Sequence, residues 1–247
     1  MSSGPQIGEV VIGLPPWTPY AAVFFSGLAG ATYAARRGFD VIGVLGIAIS
    51  TGLGGLLLRD VLLQRGTPVI LTDPIYLEVA VATAVLGFFF AGLIARFKWT
   101  LIVLEGLSLG FLCTVGALPA LREGLGAGSA IFLGVVTGVG GLVLRDLMAG
   151  EAPEILRPGI FVGVAALIGT VVFVGLIEQK ANSVSAQIIA MAVVMILRIL
   201  GEKRGWRTKS AIDITDRTWD FWQRGKRKSK KDNDVDLTNS TGGIGTK

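Results

Sequence analysis

Seven apolar runs, each long enough to cross a lipid bilayer as a helix, constrain this chain more than any other feature. They fall at 17–35, 41–58, 76–94, 101–121, 127–144, 160–177 and 184–200. About 30 Å of hydrocarbon takes roughly 20 helical residues at 1.5 Å each, with about 17 as the lower limit. Inside lipid every backbone polar group must find its partner within the protein, which leaves helices or closed barrels. The runs lack the alternation and the length of about ten residues that barrel strands show. Short connections make neighbouring helices antiparallel. No basic stretch precedes the first run, so it does not read as a cleaved signal. The expected fold is an all-α membrane protein with seven transmembrane helices.

Composition agrees. Mean hydropathy is +0.65 and only 17% of residues are charged, against about 25% in a typical soluble domain. Residues 1–200 carry 11 Lys/Arg and 11 Asp/Glu, and residues 201–247 carry 12 and 7, so the net charge of +5 belongs to the tail. The absence of histidine and the single cysteine, Cys113, remove most zinc sites, Ser-His-Asp and Cys-His nucleophiles and any internal disulfide. No enzyme, metal or cofactor is expected.

Lysine and arginine set the orientation. Residues 1–35 contain neither, while Arg36 and Arg37 follow the first run, Arg96 and Lys98 the third, and the basic tail the seventh. Basic residues stay on the cytoplasmic side. The tail and these loops are therefore expected in the cytoplasm and the N-terminus outside, in a plasma (inner) membrane.

A duplication lies within the runs. At an offset of 86, residues 30–60 match residues 116–146 at 13 of 31 positions without a gap, including TGLGGLLLRD at 51–60 and TGVGGLVLRD at 137–146. Asp73-Pro74 falls opposite Arg157-Pro158 after a two-residue slip. Each copy covers three runs. Two copies of an odd-span unit must enter the bilayer from opposite sides, so spans 1–3 and 4–6 form an inverted 3+3 repeat, with one helix added. The organisation reads as an N-terminal segment at 1–16, repeats at 17–97 and 98–180, a seventh helix at 181–200 and a tail at 201–247. Such repeats place ion or substrate paths near the midplane, between discontinuous helices.

Spans 2 and 5 carry the candidate breaks. Gly52, Gly54 and Gly55 follow Thr51, and Gly138, Gly140 and Gly141 follow Thr137. Glycine costs about 1 kcal/mol in a helix interior relative to alanine. One compensation is a bend that bares carbonyl oxygens to a cation. The other is close helix packing, which the spacing of Gly106/Gly110 and Gly134/Gly138 also fits. Arg59-Asp60 and Arg145-Asp146 end these spans, either as two opposite pore mouths or as snorkelling anchors. Neighbours in sequence point about 100° apart on a helix, so neither arginine need pair with its own aspartate. Asp73-Pro74 reads as an N-cap with proline at N1. Glu78 and Glu105 sit about one turn inside apolar runs and read as interfacial, with a gating role as the alternative. Phe88, Phe89 and Phe90 form lipid-facing or packing surface. The tail joins aromatics to a basic run, Arg224, Lys226, Arg227, Lys228, Lys230 and Lys231, suited to an anionic membrane surface rather than to nucleic acid.

The duplicated Gly-Gly-x-x-x-Arg-Asp elements, with TDPIYLEVAVATAVLGFFFAGL after the first, resemble the TRIC (trimeric intracellular cation) channel family in its prokaryotic branch, whose members are sometimes labelled glycine transporters. The resemblance covers about residues 17–200 and excludes the tail. It implies a homotrimer with a pore through each protomer that passes K+ and Na+, and a kink at a glycine triplet in the second and fifth helices. That triplet falls on Gly54, Gly55 and Leu56, and on Gly140, Gly141 and Leu142, so leucine replaces the third glycine in both halves. The Arg-Asp pair is intact in both. The expected function is a monovalent cation channel with Thr51, Thr137 and the glycine carbonyls at the constriction and Arg59, Asp60, Arg145 and Asp146 at the mouths. The alternatives are a secondary transporter for a small zwitterion such as glycine, and a non-conducting membrane protein whose tail recruits a partner.

Overall fold

A computed structural model of the chain describes residues 13–64, 66–95, 98–156 and 162–204. Among them every regular element is helical. The order is α1 (Thr18–Arg36), α2 (Val41–Leu63), α3 (Val69–Thr72), α4 (Pro74–Ala95), α5 (Lys98–Arg122), α6 (Gly126–Met148), a 3-10 turn at Glu154–Leu156, α7 (Val162–Glu178) and α8 (Ser183–Arg204). The seven long helices are the seven expected spans. Four of them, α2, α5, α6 and α8, are both long and apolar enough to cross a membrane by the strictest measure. The segments Pro74–Phe90 and Val162–Glu178 are apolar but shorter. The 19 residues of α1 extend about 28 Å. The seventh helix continues past Leu200 to Arg204. The basic cluster at 224–231, Arg96 and the Arg157-Pro158 pair lie outside the described residues.

Local signals set the helix ends. The Asp40 carboxylate accepts the Gly43 amide at 2.8 Å at the start of α2, and Asn182 accepts the Val184 amide at 2.9 Å at the start of α8, each relieving an orphan N–H. Asp73 caps α4 by accepting the Ile75 amide at 3.0 Å, and its other oxygen accepts the Tyr20 hydroxyl at 2.6 Å. Gly124 and Gly126, at φ of 71° and 81°, supply the left-handed backbone that turns α5 into α6.

The two repeats pack as related three-helix units, α1/α2/α4 and α5/α6/α7, with α2 against α6 at the centre, α1 against α5, and α8 against α5 and α7. Small residues carry these contacts. A β-carbon on Gly110 would lie 3.1 Å from the Met191 Cα of α8, and one on Gly134 2.7 Å from the Cys113 carbonyl oxygen of α5. Lipid tails are as apolar as leucine side chains, so close backbone approach rather than hydrophobic exclusion drives such association. Outward surfaces are apolar, as at Phe89, Phe132, Leu77 and Ile188, all more than half exposed. Glu78 is exposed near the start of α4.

Candidate functional site

The centre of the molecule is the crossing of α2 and α6. Both helices run unbroken through their glycine clusters, which corrects the expectation of breaks there. The reason is steric. A β-carbon on Gly55 would sit 2.1 Å from the Thr137 carbonyl oxygen, and one on Gly141 2.2 Å from the Thr51 carbonyl oxygen. The bare Cα atoms let each helix press on the other's backbone, and this contact offsets the helical cost of glycine. Gly54 and Gly140 face the ends of Leu144 and Leu58, and Gly30 and Gly116 face the Thr51 and Thr137 side chains. Every one of these contacts recurs at the 86-residue offset with the helices exchanged, as an inverted repeat requires.

Thr51, Thr137 and the glycines at 52, 54, 55, 138, 140 and 141 are all buried at this crossing. The Thr51 and Thr137 hydroxyls donate to the Ile47 and Leu133 carbonyls of their own helices at 2.5 and 2.6 Å. The Thr51 carbonyl accepts from Ser26 at 2.8 Å. Both threonine side chains are fully buried at the crossing.

Two cavities, near opposite ends of α1, flank the crossing. One, of about 330 Å³, is lined by Pro15, Pro16, Pro19, Arg59, Pro119 and Arg122 together with Leu14, Val115 and Leu118. The other, of about 250 Å³, is lined by Leu101, Ile102, Glu105, Arg145, Tyr33 and Arg36 together with Arg37, Glu154, Arg198 and Glu202. The first six residues of each set are partners at the offset of 86. These are the same vestibule built twice, facing opposite ways. Each has an arginine from the Arg-Asp element and a second from the end of a neighbouring helix.

Each Arg-Asp element does the same structural work. Arg59 Nε donates to Asp60 Oδ1 at 2.8 Å, and Asp60 Oδ2 accepts the Val69 amide at 2.8 Å, anchoring α3. Arg145 Nε donates to Asp146 Oδ1 at 3.0 Å, and Asp146 Oδ2 accepts the Glu154 amide at 2.8 Å, anchoring the 3-10 turn. Each arginine therefore pairs with its own aspartate, contrary to the freedom that helical geometry allowed. The buried aspartate ties the end of its helix to the segment that follows it.

The vestibules differ in charge. Among the described residues, Arg59 is otherwise bonded only to the Val115 carbonyl, at 3.4 Å, and no carboxylate lines its cavity. At the other end Arg145 Nη1 meets Glu105 Oε1 at 2.7 Å, Nη2 stands 3.7 Å from Glu154, and Arg198 of α8 donates to the second Glu105 oxygen. The Tyr33 ring lies between the Arg145 and Arg37 guanidinium groups, 4.0 and 3.7 Å from its centroid, and Arg37 pairs bidentately with Glu151 at 2.8 and 2.9 Å. Glu105 is thus buried in an ion network, not interfacial as its position suggested. Arg198 was not singled out from sequence, although an arginine inside the last apolar run signals a buried partner. Outside the spans, burial and the neighbouring Glu105 charge push the Glu154 carboxyl above its ordinary pKa, against the pull of Arg198 and Arg145. Among the described residues no group of acidic or thiol side chains is arranged to hold a metal ion.

Comparison with known proteins bears on this arrangement. A family model described as Glycine transporter matches residues 17–92 and 102–178, one match per repeat. A UPF0126 membrane protein of Deinococcus radiodurans is 38% identical over 140 residues, which cover 57% of this chain and 65% of that relative's length. The UPF0126 inner membrane protein YadS of Escherichia coli is 29% identical over 184 residues, 74% of this chain and 89% of that one. Among solved structures, the chain is similar to the TRIC trimeric intracellular cation channel orthologue from Rhodobacter sphaeroides, with a TM-score of 0.71 and 32% identity over 76% of this chain and 97% of that chain. It is also similar to a structure solved for conductance through TRIC cation channels, with a TM-score of 0.70 and 27% identity over 78% and 95%.

Proposed function

This chain belongs to the TRIC cation channel family, in its prokaryotic branch, and on that premise we propose that it is a passive channel for monovalent cations, K+ and Na+, with one path inside each protomer of a homotrimer. The observation that carries this reading is the pair of vestibules, matched at six lining positions each, that approach the α2–α6 crossing from opposite sides. A path of this form needs one constriction and two wetted approaches. Arg59 and Arg145, each braced by its aspartate, stand where the approaches narrow. Parting of the crossing would bring Thr51, Thr137 and the carbonyls beside Gly52, Gly54, Gly55, Gly138, Gly140 and Gly141 into contact with ions, whose hydration shell carbonyl oxygens can partly replace.

We assign the repeats to 17–97 and 98–180, with the N-terminus outside and the tail in the cytoplasm of a plasma membrane. Arg36, Arg37, Arg198 and Glu202 line one cavity, so α1 and α8 end on the same side, in keeping with that orientation. The tail cluster at 224–231 then lies against anionic lipid.

The test is current. Purified protein in planar bilayers between KCl solutions is expected to give discrete unitary currents that persist when 208–247 are deleted. Saturable uptake of glycine into liposomes without unitary current would establish the transporter reading suggested by the family's description instead. Absence of both current and uptake with the full chain would favour the non-conducting, partner-recruiting reading.

A further inference from the structure

The two vestibules share an ancestry in the repeat, yet one carries a device the other lacks. Glu105 of α5 is gripped on both oxygens, by Arg145 of α6 and Arg198 of α8. All three side chains are buried, at 7%, 1% and 3% exposure. The residue equivalent to Glu105 in the first repeat is Pro19, and Arg198 lies on the helix outside the repeat. The clamp therefore cannot be a relic of the duplication.

We infer that α8 gates this mouth alone. Arg198 and Arg145 hold Glu105 between them in the closed state, and the mouth opens when the shared carboxylate lets go. This inference rests on the cation path proposed above.

Three features carry it. The bridge ties α6 and α8 to α5 through one residue, so releasing it loosens both attachments at this end of the molecule. One carboxylate serves two guanidinium groups, and Arg198 keeps Nε and Nη1 buried without a hydrogen-bond partner. Unpaired buried donors penalise the dry state relative to one in which water reaches them. The cavity of about 250 Å³ beside the network provides room for that water. The closed clamp is thus held together by a shared charge while carrying a cost that wetting removes. A small change in the bridge shifts the population toward the open form.

Glu105→Gln and Arg198→Met both break the bridge and are expected to raise open probability, each by about tenfold, which corresponds to about 1.4 kcal/mol of shift between states. Open probability is the readout, because both residues also line the vestibule. Arg198→Lys, which keeps the charge and one bond, should fall between wild type and Arg198→Met. In hydrogen exchange on the full-length protein, both bridge-breaking variants should speed exchange at 142–156 and leave 56–72 unchanged. Opposite changes in unitary conductance with unaltered opening would overturn the gate and make the two residues mere local charges. Lowered opening in both variants, or equal acceleration of exchange at both mouths, would also overturn it by assigning the bridge a general structural role. Silence of the wild type would sink the channel reading itself, whereas wild-type currents with insensitive variants would sink only the gate.

Discussion

Gly55 on α2 lies so close to the Thr137 carbonyl oxygen on α6 that a β-carbon there would stand 2.1 Å from it, and Gly141 bears the same relation to Thr51 at 2.2 Å. The obstacle is backbone in both cases, so it cannot turn aside. Gly55→Ala and Gly141→Ala should each destabilise the protein by about 3 kcal/mol, the upper range for overpacking. Gly54→Ala and Gly140→Ala meet only the ends of Leu144 and Leu58 and should cost less. Gly175→Ala meets nothing within 4 Å and should be neutral or stabilising by up to about 1 kcal/mol. Thermal unfolding of the five variants in detergent gives the ranking, and an equal cost at Gly54 and Gly55 would contradict the crossing geometry.

The aspartates of the two Arg-Asp elements should not be equally sensitive. Asp60→Asn leaves Arg59 bonded only to neutral oxygens among the described residues, whereas Asp146→Asn leaves Arg145 still paired with Glu105. Removing one partner of a buried ion pair costs about 3–5 kcal/mol when the other charge is stranded. Asp60→Asn should approach that range, and Asp146→Asn should cost clearly less. The difference in unfolding midpoint between the two variants is the measurement, and the reverse order would refute the charge asymmetry of the vestibules.

Glu154 should give its loop a pH dependence with a definite sign. Burial and the Glu105 charge raise its pKa in the folded protein above the ordinary 4.5. The folded state then holds the proton more tightly than the unfolded state, and stability falls as pH rises between the ordinary value and the raised one. Hydrogen exchange at 150–156 should be slower under mildly acidic than neutral conditions, after correction for the intrinsic pH dependence of exchange. Glu154→Gln should abolish that difference; an unchanged slope in the variant would assign it to another group.

Tyr33 acts through its ring. With guanidinium groups 3.7 and 4.0 Å from the ring centroid, Tyr33→Phe should retain nearly all stability. Tyr33→Leu should lose about 1–2 kcal/mol as the partly buried cation–π contacts disappear. Equal losses in both variants would shift the weight to the hydroxyl, which lies 3.4 Å from Glu151.

Much of the fold was legible along the chain. Apolar run length placed all seven long helices to within a few residues, Asp73-Pro74 marked the start of α4, and the three-span duplication required inversion. Those inferences work because hydropathy against bilayer thickness is a property of each segment by itself, and inversion is a matter of counting odd spans. The repeated spacing within the chain also marked both Arg-Asp elements as equivalent ends of matched helices.

What the glycine clusters do was not legible. Glycine permits both a helix break and a close approach, and only the rotation and distance of α6 against α2 produced the close approach. The partners of Glu105 were equally hidden, since Arg145 lies 40 residues away and Arg198 93. Hydropathy tells a residue how deep to sit, not which neighbour it faces. The sequence alone therefore determined a membrane protein of seven helices with an inverted repeat. Only the tertiary structure decided that its glycines join helices instead of breaking them, and that, among the described residues, Arg145 meets a second carboxylate while Arg59 does not. The physical reason is that contacts between helices depend on the relative rotation and approach of whole elements, and packing sets these for all helices at once.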